Sequence, residues 1–291
     1  MRVLLAGATG YLGSVVAERL SNAGHDVVAL VRPGRAAPAH GYEQRTGDLS
    51  DPDSLATAVT PDIGAVIHAG VPTGDAAVDA TAVDALSEPL HGTGRPFVYT
   101  SGVWVLGATG HETADEHFPV NPIPIVGYRP GIEQRVLDLA AAGVRSTVIR
   151  PGIIHGRGGG IPALLIDLAR KHGAPLMIGD ATVRWPMVHI EDLGDLFREV
   201  VEHAPAGTMW HGVTQSAVPV RELTAAAGAA AGVLTAPTVW PLNEARAELG
   251  GAFADALALD QSVSGEAARE RFAWRPHGLD AITDLRSGSY R

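Results

Sequence analysis

A glycine-rich loop near the start of the chain constrains the fold more than any other feature. Residues 2–6 form a short apolar run typical of a buried strand, and residues 12–20 place apolar side chains at helical spacing. The loop between them reads Gly7-Ala8-Thr9-Gly10-Tyr11-Leu12-Gly13. A strand, a loop of this kind and a helix, in that order, form the βα unit that holds the pyrophosphate of a dinucleotide. The sequence therefore predicts a Rossmann-type domain that opens at Met1.

Each glycine of this loop has its own role in such a unit. Gly7 permits the tight turn, Gly10 lets the backbone approach the pyrophosphate, and Gly13 lets the helix pack closely on the strand. The helix N-terminus adds free N–H groups and partial positive charge for the anion. A purely structural βα turn is the alternative. The cofactor contacts expected from the loop are Gly7, Thr9, Gly10, Tyr11, Leu12 and Gly13.

Strands and helices alternate through the first half of the chain and then change their rhythm after Pro151. The alternation predicts an α/β fold with a doubly wound parallel sheet, whose ligands bind at the carboxyl ends of the strands. We assign residues 1–155 to this domain and residues 156–291 mainly to a smaller substrate-binding lobe, partly interleaved with the first. Predicted strands cover residues 2–6, 26–31, 43–46, 65–68, 95–100 and 146–149, with an extended segment at 183–189. Predicted helices begin near residues 12 and 51, and others cover 75–90, 131–142, 161–172, 191–203, 220–232, 243–249 and 264–271.

The end of the second predicted strand bears on the choice of cofactor. An acidic residue there contacts the ribose 2′-hydroxyl in many NAD-specific proteins, whereas this chain has Arg32. A guanidinium would pair with a 2′-phosphate instead, through opposite charge and two hydrogen bonds. We therefore expect NADP, with NAD as the other possibility and a surface arginine as the structural alternative.

The composition of the chain excludes several classes of binding partner and of catalytic chemistry. The net charge is −10, and a duplex-binding protein needs a basic surface, so we expect no nucleic acid partner. Cysteine is absent, which excludes disulfides, thiolate nucleophiles and cysteine-bound zinc. The first apolar run is too short for a signal peptide, and no stretch is long enough to span a bilayer. We expect a cytoplasmic protein that acts on a small molecule and binds no membrane.

Six segments together resemble the short-chain dehydrogenase/reductase superfamily, in its extended or atypical extended branch. That branch includes sugar-nucleotide epimerases, dehydratases and many reductases. The resemblance covers nearly the whole chain, and the segments occur in the order that the branch has them. They are the loop 7–13, Gly47-Asp48-Leu49, Val66-Ile67-His68-Ala69-Gly70, Arg150-Pro151-Gly152-Ile153-Ile154-His155-Gly156, residues 186–193 and residues 272–276.

The resemblance implies further contacts with the cofactor. The Asp48 segment would meet the adenine, the segment ending in Gly70 would lie along the cofactor, and the turn after Arg150 would lie beside the nicotinamide. His155 stands where the branch commonly has tyrosine. Related proteins often dimerise through helices like 75–90 and 131–142, so a homodimer is one expectation. The implied contacts are Asp48, Leu49, Ala69, Gly70, Pro151, Gly152 and Ile153.

The catalytic residues depart from the pattern of this branch, which uses a serine or threonine, a tyrosine and a lysine. Counting back from Arg150, the lysine position falls on Arg129 and the tyrosine position on Ile125. Tyr128 stands beside the lysine position. The hydroxyl position falls on a glycine, and Ser101 is one residue away.

Two interpretations of this departure stay open. A shifted loop at residues 121–127 would let Tyr128 and Ser101 do the usual work, with Arg129 on the ribose. Alternatively the trio is lost, since an arginine does not deprotonate and is no like-for-like lysine. His155 is a further catalytic candidate because of its place beside the expected nicotinamide, although it and His189 are also typical of satisfied core histidines.

Two other groups of residues have a functional and a structural interpretation. Residues 111–117 contain histidines and carboxylates, but no helical spacing supports a metal site, so we expect a solvated loop and no metal. Four large apolar side chains either line a substrate pocket or belong to the core. They are Trp104, Trp185, Met187 and Trp210.

These observations lead to three competing functions. The first is an NAD(P)-dependent oxidoreductase acting on a small carbonyl, enone or imine substrate through a non-standard catalytic site. The second is a non-redox member of the branch, such as an isomerase, lyase or cyclase. The third is an NADP-binding sensor without turnover. Sugar-nucleotide chemistry is less favoured, because it relies on the tyrosine and the lysine that Ile125 and Arg129 replace.

Overall fold

The computed structural model describes residues 1–34, 41–70 and 73–291, and its centre is a parallel sheet of seven strands. Numbered along the chain, its strands are β1 (Arg2–Ala6), β2 (Asp26–Val31), β3 (Glu43–Thr46), β4 (Ala65–His68), β5 (Pro96–Thr100), β6 (Arg145–Pro151) and β10 (Thr208–Gly212). They follow the order β10-β6-β5-β4-β1-β2-β3 in the sheet. The predicted α/β class with a doubly wound parallel sheet is therefore confirmed.

Helices cover both faces of this sheet. Leu4 and Leu5 point to opposite faces of β1 and both are fully buried, as expected for a parallel sheet between two helical layers. One layer consists of α1 (Tyr11–Asn22), α6 (Ile190–His203) and α10 (Glu266–Phe272), and the other of α2 (Pro52–Ala58), α3 (Ala76–Ser87) and α4 (Arg129–Asp138).

The second half of the chain contributes to the sheet and also builds a separate apolar cluster. β10, α6 and α10 complete the central layers, whereas the remaining elements enclose the core that contains Trp185 and Met187. These elements are β7 (Ile153–His155), β8 (Leu176–Ile178), β9 (Arg184–His189), β11 (Gln215–Pro219), β12 (Thr238–Trp240), α5 (Gly160–His172), α7 (Val220–Ala230), α8 (Leu242–Leu249), α9 (Gly251–Leu257) and α11 (Ala281–Ser287).

Sequence patterns missed the short elements. β10 adds a seventh strand to the predicted six, and its sequence Thr-Met-Trp-His-Gly has no continuous apolar run to reveal it. β7, β8 and β12 have three residues each, too few to show an alternating pattern. α9 and α11 were also not predicted. By contrast, β2, β3 and β4 have the predicted bounds.

The start of α4 matters for the site. The sequence predicted a helix over residues 131–142, but α4 begins two residues earlier, at Arg129, with Tyr128 as its N-cap. Tyr128 and Arg129 therefore lie at the N-terminus of α4, beside the carboxyl ends of the sheet strands.

Among the helices in the described ranges, none is both long and apolar enough to cross a bilayer.

Candidate cofactor and substrate site

The glycine loop lies where the strand order of the sheet reverses. β1 pairs with β2 on one side and with β4 on the other, so Gly7 at the end of β1 meets the segment that follows β4. Gly7 has φ +90°, and a Cβ there would lie 2.6 Å from the carbonyl oxygen of Ala69 and 2.6 Å from the amide nitrogen of Gly70. This reversal is the place where such sheets bind their ligands.

The three glycines of the loop are needed for different reasons. A Cβ on Gly13 would lie 2.0 Å from the carbonyl oxygen of Gly7, so Gly7 and Gly13 are both required by the packing of the chain itself. A Cβ on Gly10 would meet only that carbonyl oxygen, at 3.2 Å. The protein alone therefore explains two of the glycines, and the open side of Gly10 fits the close approach of a pyrophosphate.

The N-terminus of α1 also fits an anion. Its N-cap is Gly10, no side chain caps it, and its first turn contains no acidic residue. The first N–H groups of the helix and the positive end of its dipole are thus left for a ligand. Thr9 directly precedes the N-cap, and Leu12 lies in the first turn of the helix.

Arg32 and Asp48 come together at the carboxyl ends of β2 and β3. Two hydrogen bonds from Ser50, from its hydroxyl at 2.6 Å and its amide at 2.9 Å, lower the pKa of Asp48, and the charge of Arg32 acts in the same direction. Arg32 itself is exposed. Leu49 approaches Gly70, whose Cβ would lie 3.8 Å from its Cδ1. These residues form one continuous edge with the glycine loop.

A cavity of about 560 Å³ adjoins this edge, within the range of roughly 300–1,000 Å³ that small-molecule sites occupy. Its walls are mostly apolar, and Arg129 is the single charged side chain among the lining residues of the described part of the chain. The lining consists of Tyr11, Thr73, Gly74, Thr100, Ser101, Gly102, Val103, Trp104, Ile125, Val126, Tyr128, Arg129, Pro151, Gly152, Ile153, Ile154, Gly160 and Ile161.

The end of β5 brings hydroxyl groups to the cavity. Ser101 follows β5 directly, and its amide donates to the carbonyl oxygen of Ile149. The hydroxyl oxygens of Thr100 and Ser101 are buried and have no hydrogen-bond partner among the described groups. A buried hydroxyl without a partner is costly, so these two groups fit a bound ligand.

Arg129 lies beside the Ser101 turn. A Cβ on Gly102 would be 4.0 Å from Nη1 of Arg129, which places the guanidinium next to the segment where related proteins have their hydroxyl. Tyr128 also lines the cavity, but its hydroxyl donates to Oδ2 of Asp79 at 2.7 Å. Burial raises the pKa of Tyr128, and the hydrogen bond to Asp79 raises it further. The structure thus brings Ser101, Tyr128 and Arg129 together.

Neither a tyrosine nor a lysine takes the expected catalytic positions. Ile125 lines the cavity in a 3-10 turn at Pro124–Val126. Lysine occurs once in the chain, at Lys171. It lies in the last turn of α5 and pairs with Glu248 at 2.7 Å, roughly 16 Å along the helix from the cavity end at Gly160. A tyrosine–lysine pair is therefore absent from the cavity.

His155 is not brought to the cavity, in contrast to the expectation from its place in the sequence. It is buried on β7, where its Nδ1 lies 3.3 Å from Oδ2 of Asp284 on α11. Its ring packs edge-to-face against His189, with the ring centroids 5.0 Å apart. The side chain joins β7 to α11 and β9, so the prediction of a direct catalytic role for His155 is not supported by its position.

The other candidates divide between the site and the core. Trp104 lines the cavity, Trp185 and Met187 are buried in the apolar cluster formed by the second half of the chain, and Trp210 packs on Phe272. Residues 111–117 form a loop between β5 and α4. Tyr11 of the glycine loop donates from its hydroxyl to the carbonyl oxygen of Gly156 at 2.7 Å and so braces the rim of the cavity.

Sequence reasoning missed Asp79 and Thr73. Asp79 lies on α3, is only 4% exposed, and accepts hydrogen bonds from Tyr128 and from the amide and hydroxyl of Thr73. The helix Ala76–Ser87 consists mostly of small residues and contains two carboxylates, of which Asp79 is buried and Asp84 is exposed, so the sequence alone did not single out Asp79. Thr73 is 6 residues away from Asp79, but Tyr128 is 49 residues away, so no local spacing could have connected Asp79 with Tyr128.

Comparison with known proteins places these features in a family. The model of the NAD-dependent epimerase/dehydratase family matches residues 3–211. An uncharacterised protein of Schizosaccharomyces pombe is 32% identical over 302 residues, which cover 100% of both chains. The 2-alkyl-3-oxoalkanoate reductase of Stenotrophomonas maltophilia is 30% identical over 210 residues, 66% of this chain and 62% of that protein.

A solved structure agrees in fold. The human epimerase family protein SDR39U1, crystallised with NADPH, superimposes with a TM-score of 0.75 at 21% identity and covers 99% of both chains. Since the family description names NAD and that structure contains NADPH, the comparisons support a nicotinamide cofactor of either kind.

Proposed function

The chain belongs to the NAD-dependent epimerase/dehydratase family, and we propose that it is an NADP-dependent oxidoreductase of a small, mainly apolar carbonyl compound. The observation that carries this proposal is the cavity beside the glycine loop, in which Arg129 is the one charged side chain among the described lining residues. A lone guanidinium in an apolar cavity is suited to a single developing oxyanion.

The residues at the strand ends fit a dinucleotide. The pyrophosphate would be held by the N-terminus of α1 beside Gly10, and a 2′-phosphate by Arg32. Pro151, Gly152 and Ile153 line the cavity and would flank the nicotinamide. When bound, this cofactor supplies or accepts a hydride.

The walls of the cavity favour an apolar substrate over a sugar nucleotide. A nucleoside diphosphate carries two or more negative charges, and Arg129 alone would face them among the described lining residues. Val103, Trp104 and Ile161 instead offer apolar contact area. The sequence relative that reduces 2-alkyl-3-oxoalkanoates supports an oxo compound with an alkyl body.

The chemistry assigned to the chain is the positioning and stabilisation of the substrate oxygen. A guanidinium is no general acid, so the role assigned to Arg129 is to stabilise the oxyanion and not to donate the proton. The buried hydroxyl of Ser101 donates a hydrogen bond to the same oxygen. Two phenols line the described part of the cavity, and Tyr11 donates its hydroxyl to the carbonyl oxygen of Gly156. Tyr128 is therefore the candidate for proton exchange with the substrate.

The experiment that tests the proposal follows NADPH oxidation with a panel of aliphatic ketones, 3-oxo acids and enones. Arg129→Met should lower kcat/KM by about 10²-fold or more, since one oxyanion donor contributes about that much. Arg170→Met removes an exposed arginine from the far end of α5 and is the matched control, expected to equal wild type. Equal rates for Arg129→Met and wild type contradict the proposed role of the guanidinium.

A second candidate function is an NADP-binding sensor or a non-redox member of the family. It is favoured by Ile125 at the position of the family tyrosine and by the engagement of the Tyr128 hydroxyl with Asp79. This candidate predicts that NADPH binds but is not oxidised by any compound of the panel. The net charge of −10 supports a small-molecule partner over nucleic acid in both cases, and a homodimer stays a prediction.

A further inference from the structure

Asp79 is a buried carboxylate in contact with the cavity wall. It is 4% exposed, and its Oδ2 accepts a hydrogen bond from the Tyr128 hydroxyl, with 2.7 Å between the two oxygens. Its Oδ1 accepts from the amide of Thr73 at 2.9 Å and from the hydroxyl of Thr73 at 2.7 Å. Tyr128 and Thr73 both line the cavity, so Asp79 lies directly behind two of its wall residues.

The pKa values of Asp79 and Tyr128 are shifted in opposite directions. Burial opposes the charge on Asp79, but the hydrogen bonds from Tyr128 and Thr73 outweigh it and lower the pKa of the carboxyl. Burial and the contact with Asp79 raise the pKa of Tyr128. At neutral pH the pair is therefore a carboxylate and a neutral phenol, and a free tyrosinate base is not formed.

We propose that Tyr128 and Asp79 form a two-step proton relay, in which Tyr128 exchanges a proton with the substrate oxygen and Asp79 is its terminal acceptor. This inference rests on the proposed oxidoreductase function and names a catalytic-site residue, Asp79, that acts through Tyr128. In this relay the phenol of Tyr128 transfers protons without becoming a tyrosinate, because the phenol oxygen receives one proton as it gives up another.

The relay balances in the direction of alcohol oxidation. The alcohol O–H bond breaks, its proton passes to Oη of Tyr128, and the phenol proton passes to Oδ2 of Asp79. The C–H bond of the alcohol carbon breaks with its electron pair, and the hydride would pass to the oxidised nicotinamide dinucleotide held beside the cavity. A carbonyl C=O bond forms, and Asp79 ends protonated and Tyr128 unchanged. Reduction is the reverse and requires protonated Asp79.

Other ionisable groups surround the pair and enter its pH dependence. His68 on β4 interacts with Asp79, and burial lowers the pKa of His68 to about 4. Tyr99 on β5 and Arg129 on α4 lie in the same cluster. Since His68 also titrates in acid, a pH profile of wild type alone does not identify Asp79. The comparison with a variant of Asp79 is required.

The test compares Asp79→Asn with wild type. Asparagine can still accept the Tyr128 hydroxyl, but it cannot take up the proton. We expect kcat/KM for alcohol oxidation to fall by about 10²-fold, and the loss of rate at acid pH to be smaller than in wild type, with only the part that His68 contributes left. Asp84→Asn is the matched control on the same helix, since Asp84 is an exposed carboxylate paired with Arg135. It should retain the wild-type rate and profile.

A second readout needs no turnover. In protein labelled with 3-fluorotyrosine, the ¹⁹F resonance of Tyr128, assigned from its loss in Tyr128→Phe, should shift with the acid titration of Asp79. This part of the shift should be missing in Asp79→Asn, which separates it from the titration of His68. A resonance that does not respond to acid overturns the relay. So does an Asp79→Asn rate within about twofold of wild type.

The outcomes separate the relay from the proposed function. If Tyr128→Phe loses about 10²-fold in rate and Asp79→Asn does not, the oxidoreductase stands and the relay is wrong. If wild type transfers no hydride to or from any compound, the proposed function is wrong and Asp79 has no catalytic role, whatever the ¹⁹F titration shows.

Discussion

Replacing the second glycine of the loop, Gly10, should impair cofactor binding, whereas replacing the third glycine, Gly13, should impair the stability of the fold. Gly13→Ala places a Cβ 2.0 Å from the carbonyl oxygen and 2.6 Å from the carbonyl carbon of Gly7. Both are backbone atoms, so no side chain can rotate to relieve the overlap. Overpacking costs about 1–3 kcal/mol, and we expect Gly13→Ala to reach the upper end of that range.

Gly10→Val should behave in the opposite way. Gly10 has φ −84° and ψ 171°, a region open to valine, and the one contact of its Cβ is at 3.2 Å. Replacing an N-cap glycine costs about 1 kcal/mol at most. The branched side chain would fill the side where the pyrophosphate approaches, so we expect the Kd for NADPH to rise by about 100-fold or more, equivalent to ~2.7 kcal/mol.

The measurements are urea unfolding followed by circular dichroism and calorimetric titration with NADPH. Unfolding is measured without cofactor, because a bound ligand adds to the apparent stability. Gly10→Val in a folded protein with a Kd within about threefold of wild type would falsify the assignment of this loop to the pyrophosphate. A Gly13→Ala variant as stable as wild type would show that the backbone can move apart at Gly7.

Three further predictions follow from single contacts. Arg32→Asp should reverse a preference for NADPH over NADH, and equal calorimetric affinities of wild type for the two would refute the role of Arg32. Glu133→Gln should lower the free energy of unfolding in urea by about 3–5 kcal/mol, since it leaves Arg150 buried and charged. Adding Arg150→Met should recover much of that lost stability. A loss of stability below about 1 kcal/mol in Glu133→Gln contradicts the argument. Burial lowers the pKa of His68 to about 4 and of His211 to about 3, so the unfolded chain binds more protons between about pH 6.5 and these folded values. As pH falls through that window, each histidine should remove up to about 1.4 kcal/mol of stability per pH unit. Urea unfolding at several pH values should give a smaller slope for His211→Gln, and an unchanged slope would refute it.

Local sequence was sufficient for the elements that carry a pattern of their own. The apolar runs of β2 and β4 had the predicted bounds, and Asp51 with Pro52 marked the start of α2, where Asp51 caps the helix by accepting from Ser54. Tertiary pairing decided β10, whose polar sequence becomes a strand because β6 offers it an edge. It also decided the start of α4, which the sequence placed two residues too late.

The candidate site divides in the same way. The positions of Arg129 and Ile125 relative to Arg150 could be counted along the chain, and the structure places both side chains in the cavity wall. The orientation of the His155 side chain could not be predicted by counting along the chain, because it depends on a contact with Asp284, 129 residues away. Contacts over such distances leave no trace in local spacing.

The sequence by itself determined that this chain forms a doubly wound α/β domain with a dinucleotide-type glycine loop, since strand runs, helical spacing and glycine turns are local properties of the backbone. Only the tertiary structure decided which polar groups meet at the cavity. Tyr128 could have faced the substrate alone, but the packing of α3 against α4 brings Asp79 to its hydroxyl. A hydrogen bond of 2.7 Å between helices is set by how two surfaces pack, and that geometry is a property of the assembled fold.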